Sequence, residues 1–185
     1  ERTNPQYTWD QTAVLASNYR MSELQAGFAA AQMQRLEGIA AKRAALGRLL
    51  IAGISDLPAV VPPLLDPADR GTFWFFYFRL RLDRLRCTRA EFTAALRAEG
   101  AACSAGYIPV PVYRLPYFQK HAFFAGRWPI KELGLTQMDY SKITCPEAEA
   151  ILATGISCTL NESMDEAYVR AIGAAVRKVA QRFTL

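Results

Sequence analysis

Four Ser or Thr residues in this chain are each followed three positions later by Glu or Gln, and each pair stands before a run of good helix formers: Ser22/Gln25, Thr88/Glu91, Thr144/Glu147 and Ser163/Glu166. In such a pair the hydroxyl accepts from a backbone N–H of the first turn, while the Glu or Gln side chain reaches back to the capping residue's own N–H. Four helix starts at these places set the frame of the fold. The first predicts a helix from about Glu23 to about Leu50, with Leu24, Phe28, Ala31, Ile39, Leu46 and Leu49 near one face, interrupted by Arg35 and Lys42. A long, imperfect stripe of this kind suits a helix that bridges two environments. The second predicts a helix from Arg89 to Glu99, stopped by Gly100. The third runs from Pro146 to Ala153, and the fourth from Met164 to Phe183, where Met164, Tyr168, Ile172, Val176, Val179 and Phe183 form the most regular stripe of all.

Between these helices the pattern changes to period two. In the run from Thr72 to Leu82, the even positions Trp74, Phe76, Phe78, Leu80 and Leu82 are predicted to face a core while Arg79 and Arg81 face water. A shorter strand is predicted near Ala102 to Ile108, and another where Ile156, Cys158 and Leu160 alternate. Leu57-Pro58, Pro62-Pro63 and Asp66-Pro67 mark an extended connector, since proline's fixed φ and missing donor exclude both a helix interior and a central strand. The stretch from Cys103 to Tyr140 is aromatic, apolar and broken by proline at once, so little regular structure is expected in it. Its aromatic rings either line a cavity or interface or pack over the sheet edge, and its His121 reads as a packed or solvated side chain. The order of elements makes a small α+β domain of about three antiparallel strands covered by helices.

Composition narrows the function classes. No uncharged stretch approaches the ~18 apolar residues of a membrane span. Cys87, Cys103, Cys145 and Cys158 include no pair at the spacing of a zinc knuckle or redox motif, and a single histidine leaves no two-histidine metal site. The cysteines read as small buried hydrophobes in a reducing cytoplasm. A net charge of +5, with Arg79, Arg81, Arg84, Arg86 and Arg89 following the aromatic run, invites an RNA-binding reading. That reading is minor, because Thr72 and Phe73 break the RNA-recognition consensus, which wants an aromatic and then Gly or Ala at those places. Neither a phosphate-cradling Gly-rich loop nor a paired-carboxylate signature occurs.

The segment Ser17-Asn18-Tyr19-Arg20-Met21-Ser22-Glu23-Leu24-Gln25-Ala26, continuing to Gln34-Arg35-Leu36, resembles the Asn, aromatic, Arg-Met, Glu, Leu-Gln-Ala pattern of the DegT/DnrJ/StrS aminotransferases. Arg89-Ala90-Glu91-Phe92 through Tyr107, and Cys145-Pro146-Glu147-Ala148-Glu149-Ala150-Ile151 with the closing helix, are supporting matches. The resemblance implies the C-terminal part of a pyridoxal-phosphate enzyme of the aspartate-aminotransferase fold. Such an enzyme moves an amino group from glutamate or glutamine to a keto-sugar or ketocyclitol, as a cytoplasmic C₂ homodimer without nucleic acid or membrane.

On this resemblance, residues 1–21 end the cofactor domain, 22–50 form the bridging helix and 51–185 form the C-terminal small domain, with Glu1 a cut start and the N-terminal cofactor domain outside the chain. Asn18 is implied to contact the cofactor phosphate of the partner subunit, and Tyr107, Tyr113 and Arg114 to contact substrate. The Schiff-base lysine is implied to lie upstream, so the chain alone is expected not to transaminate. Lys42, Lys120, Lys131, Lys142 and Lys178 read as solvated charge. The loop departs from the His-Tyr and Pro-Leu-His string of many nucleotide-sugar members and looks closer to the ketocyclitol and aminobenzoate branch. A sugar dehydratase of the same family, in which histidine replaces the lysine, is the alternative reading; the wide cysteine spacing argues against an iron–sulfur variant.

Overall fold

The computed structural model describes residues 19–66, 68, 69 and 71–185, so Asn18, Pro67 and Arg70 lie outside the described residues. The chain divides into two compact units, residues 1–37 and 38–185. The described part of the first is the start of helix α1, Glu23–Ile54. Ser22 and Gln25 cap it reciprocally: the Gln25 N–H donates to Ser22 Oγ at 3.3 Å, and the Ser22 N–H donates to Gln25 Oε1 at 3.0 Å. Leu24, Phe28, Met33 and Leu36 along this half of the helix are exposed.

The second unit is built on four strands, β1 Val60–Val61, β2 Phe76–Leu80, β3 Cys103–Ala105 and β4 Gly155–Cys158, in the order β1-β2-β4-β3 with every neighbouring pair antiparallel. The α+β architecture expected from the sequence is present, with one strand more. That extra strand, β1, comes from the connector. It pairs Val60 with Leu80 and Val61 with Arg79 at the sheet edge, the only place where a strand between Pro58 and Pro62 costs no ladder bond.

Phe76, Phe78 and Leu80 point to one face of β2 and are fully buried. They meet the C-terminal half of α1 (Leu46, Leu50, Ile54), α2 Arg89–Ala98 (Phe92, Leu96) and α6 Glu166–Phe183 (Val169, Ile172, Val176, Val179) in a single core. On the other face, helix α5 Pro146–Thr154 lies over Tyr77 and Arg79: the Tyr77 hydroxyl donates to the Ile151 carbonyl at 3.0 Å, and Arg79 Nε to Thr154 Oγ1 at 3.1 Å.

Several local expectations are corrected. The aromatic strand begins at Phe76 rather than Thr72, because Phe73 takes a φ of +44° that breaks the period-two alternation. Trp74, expected on the core face, is therefore 72% exposed, and Leu82 has left the ladder for a single 3-10 turn. Phe73 instead lays its ring where a Cβ on Gly47 of α1 would stand, and stacks on Phe76 at 5.9 Å.

Two of the four capping pairs form, Ser22/Gln25 and Thr88/Glu91. Thr144 does not cap α5, which opens with Pro146 after Cys145; proline at that position has no N–H to satisfy. Ser163 does not cap α6 either. Asp165, a carboxylate at the positive end of the helix, accepts from the Tyr168 N–H at 2.7 Å, so the helix starts two residues later than Met164. The proline-broken stretch is less irregular than expected: α3 Pro116–Gln119 and α4 Pro129–Glu132 are single helical turns, each opened by proline.

Candidate substrate loop and the residues that hold it

The loop from Gly106 to Arg114 leaves the end of β3. Gly106 has a φ of +80°, its N–H donates to the Gly155 carbonyl at 2.9 Å, and a Cβ there would stand 3.0 Å from Arg89 Nη1. The left-handed backbone and the close guanidinium together require glycine. Arg89 Nη1 donates to the Leu152 carbonyl, so the first turn of α2 is bonded to the end of α5 just behind the loop. Tyr107 then emerges 57% exposed, its ring stacked on Phe75 at 5.1 Å and 22°.

Tyr113 and Arg114 both converge on one carboxylate oxygen of Glu149 in α5. The Tyr113 hydroxyl donates to Glu149 Oε1 and accepts from the Cys145 N–H at 3.0 Å. Arg114 donates to the same oxygen through Nη2 at 2.8 Å and Nε at 3.2 Å. Gln119 adds a second tie, donating through Nε2 to the Tyr113 carbonyl at 2.7 Å and the Tyr140 carbonyl at 3.0 Å. Of the residues expected to touch substrate, Tyr107 presents a free ring face, whereas Tyr113 and Arg114 are engaged by α5. In the sequence Glu149 stands out only as one residue of a supporting motif. Its partners stand 35 and 36 positions away, and no local pattern announces such a contact.

The hydrogen bond from Tyr113, and then those from Arg114, hold the Glu149 carboxyl below the usual glutamate range. A depressed folded value means that the carboxylate's contribution is complete above the unfolded glutamate range and is lost as pH falls through the lowered folded value. Acidification through that window is expected to release the Tyr113–Arg114 end of the loop. The Tyr113 ring resonances followed by NMR should shift with the Glu149 carboxyl, and Glu149→Gln should abolish the dependence; a titration unchanged in the variant would refute the assignment.

Beyond Arg114 the rings of Phe118, His121, Phe123, Trp128 and Tyr140 pack on one another, while Phe124 is exposed. Trp128 is buried and contacts His121 (4.6 Å between ring centres), Phe123 (5.2 Å) and Tyr140 (5.5 Å), while Phe118 closes on Phe123 and Tyr140. His121 Nδ1 lies 3.4 Å from Lys131 Nζ. Four arginines of the run after the aromatic strand bond within the fold: besides Arg79 and Arg89, Arg81 donates to the Pro58 carbonyl at 3.2 Å and Arg86 to the Thr184 carbonyl at 2.9 Å.

The described residues do not by themselves fit a pyridoxal-phosphate site. All five lysines are exposed, with Lys142 against Asp139, Lys178 against Glu99 and Lys131 over Trp128, so none is a desolvated amine aimed into a cavity. Asn18, the implied phosphate contact, lies outside the described residues. Among the described residues no cluster of three or more His, Cys, Asp or Glu could hold a metal ion, and no helix is long and apolar enough to cross a membrane.

The family model described as the DegT/DnrJ/EryC1/StrS aminotransferase family matches residues 2–177. Among solved structures, DesV of S. venezuelae, determined with a ketimine intermediate, is 21% identical with a TM-score of 0.69 over 97% of this chain and 41% of its own. Helicobacter pylori PseC, an aminotransferase involved in the biosynthesis of pseudoaminic acid, is 18% identical with a TM-score of 0.68, over 92% of this chain and 40% of its own. 3-Amino-5-hydroxybenzoic acid synthase is 21% identical with a TM-score of 0.65, over 98% and 44%. These similarities are similarities of fold, and this chain spans about two fifths of the length of each of the three structures.

Proposed function

Because the chain belongs to the DegT/DnrJ/EryC1/StrS aminotransferase family, we propose that it is the C-terminal part of a pyridoxal-phosphate-dependent enzyme that aminates a keto-sugar or ketocyclitol at the expense of glutamate or glutamine. The observation that carries this reading is the family match over residues 2–177. In it, residues 22–50 are the bridging helix and 51–185 the small domain of a cytoplasmic C₂ dimer, with Asn18 reaching the cofactor phosphate of the partner subunit. Bound pyridoxal phosphate supplies an electron sink.

This chain's own contribution is to shape the substrate side of the pocket. Tyr107, anchored on Phe75, offers a flat apolar face against which the C–H face of a sugar or cyclitol ring packs, while the polar edge of the ring remains free for hydrogen bonds. Tyr113 and Arg114 act as positioning residues: through Glu149 they fix the far end of the loop on α5, so that the Tyr107 end moves little.

The complete protein, purified with pyridoxal phosphate, is expected to retain the cofactor's visible absorbance through dialysis, and Asn18→Ala to lose it. Protein that stays colourless overturns the reading. Mass analysis of the product separates amino transfer, which leaves the donor's nitrogen on the sugar or cyclitol, from the dehydratase alternative, which removes water and adds no nitrogen. Tyr107→Ala is expected to raise KM for the keto substrate with a smaller change in kcat.

A further inference from the structure

β3 is an edge strand, and it sets Cys103 directly opposite Cys158 of β4. The bonds of this ladder define the kind of pair they make. The Thr159 N–H donates to the Ala102 carbonyl and the Gly106 N–H to the Gly155 carbonyl, each at 2.9 Å. Hydrogen-bonded and non-hydrogen-bonded pairs alternate along an antiparallel ladder. With 102/159 and 106/155 bonded, Cys103/Cys158 falls on a non-hydrogen-bonded pair. At such pairs the Cα atoms approach to about 4.5 Å, with both side chains on the same face. A disulfide requires Cα atoms about 4.4–6.8 Å apart, so this backbone can accept one in place. Both cysteines are free thiols.

The two sulfurs have different surroundings. Cys158 is 1% exposed, between strands and core, and contact with Cys103 together with burial pushes its thiol far up. Cys103 is half-buried at the rim of the core, with its sulfur 3.9 Å from the Thr93 carbonyl and its own carbonyl bonded to Arg97 Nε at 2.8 Å. The Cys158 thiol donating to it, and next the Arg97 charge, hold Cys103 below the usual thiol range against the opposing effect of burial. Cys103, the sulfur that a small solute can reach, is the attacking one, and the enclosed Cys158 the resolving one.

We propose that Cys103 and Cys158 form a dithiol modification site that a low-molecular-weight disulfide of the glutathione class converts to a cross-strand disulfide. The Cys103 thiolate attacks one sulfur of the small disulfide, making a mixed disulfide and expelling one thiolate. Cys158 gives up its proton and attacks the Cys103 sulfur, and the second small thiolate leaves. The protein loses two hydrogens and two electrons, and the oxidant leaves as two thiols. The bridge ties the edge strand to β4 at the root of the Gly106–Arg114 loop.

The test is to treat the full, folded chain with oxidised glutathione, remove the oxidant, block the remaining thiols with iodoacetamide in denaturant and map the peptides by mass. Expected is the loss of alkylation at Cys103 and Cys158 together, with a peptide linking the two; Cys158→Ser should instead stop at a glutathione adduct on Cys103. Wild-type mapping decides the matter even if that variant fails to fold. Both cysteines remaining alkylated, or a link from Cys103 to Cys87 or Cys145 in the folded chain, overturns the proposal.

Discussion

Phe76→Ala is expected to destabilise the unit of residues 38–185 by about 3–5 kcal/mol, the range for emptying an aromatic position in a closed core. Phe76 is 0% exposed in a central strand, opposite Cys158 and in ring contact with Phe73 at 5.9 Å and Phe78 at 6.3 Å. Helices cover it from the far side, so the cavity cannot collapse without moving α1 or α6. Against a typical domain stability of about 5–15 kcal/mol this is a large fraction. Trp74→Ala, two residues earlier in the same aromatic run, is expected to change stability by no more than about 0.5 kcal/mol, because its ring lies in solvent. Urea unfolding distinguishes the two: the midpoint should fall sharply for Phe76→Ala and barely move for Trp74→Ala. Equal losses would show that the strand starts earlier than the structure places it.

Gly155→Val is the second large effect, and its cause is space rather than backbone conformation. Gly155 has a φ of −79°, which any residue adopts, but a Cβ there would overlap the Tyr77 ring that lies across it. Tyr77 is pinned in that place by its hydroxyl bond to the Ile151 carbonyl at 3.0 Å. Overpacking of this kind costs about 1–3 kcal/mol, and displacing the ring also forfeits a hydrogen bond of about 1 kcal/mol. In a Tyr77→Ala background the obstruction is gone, and the cost of Gly155→Val should shrink by a coupling of about 0.5–3 kcal/mol. A double-mutant cycle by urea unfolding measures it; strictly additive losses would contradict the steric account. Gly100 makes the opposite case. Its φ is +92° with open space around it, so there a side chain meets strain and no neighbour.

How far the sequence could be read is visible in particular elements. The α2 boundaries were legible to within a residue because every signal there is local: Thr88 and Glu91 bond each other across three positions, and Gly100 supplies the left-handed stop. At α6 the same type of signal misled by two residues, because Asp165 caps the helix through the Tyr168 N–H while the Ser163 hydroxyl bonds Asn161 Oδ1, and the pattern does not rank the two candidates. In the aromatic run, period two was correct from Phe76 onward. It failed before that because the ring of Phe73 finds its place against Gly47, a contact over 26 positions that no alternation encodes. The candidate loop divides in the same way. Gly106-Tyr107 and Tyr113-Arg114 could be singled out by resemblance, but that Arg114 and Tyr113 share one oxygen of Glu149 could not.

By itself, then, the sequence determined the α+β class, the four longer helices, the Ile172, Val176 and Val179 stripe of the last of them and the family, because each rests on residues within a few positions of one another or on a linear motif; Tyr168, expected in that stripe, is exposed and Met164 precedes the helix. The tertiary structure alone decided that the proline connector contributes an edge strand, that Arg79, Arg81, Arg86 and Arg89 bond within the fold, that Glu149 holds the loop and that Cys103 faces Cys158. Each of these depends on which distant residue arrives beside a given side chain, and strand register and helix packing set that arrangement, which local periodicity does not.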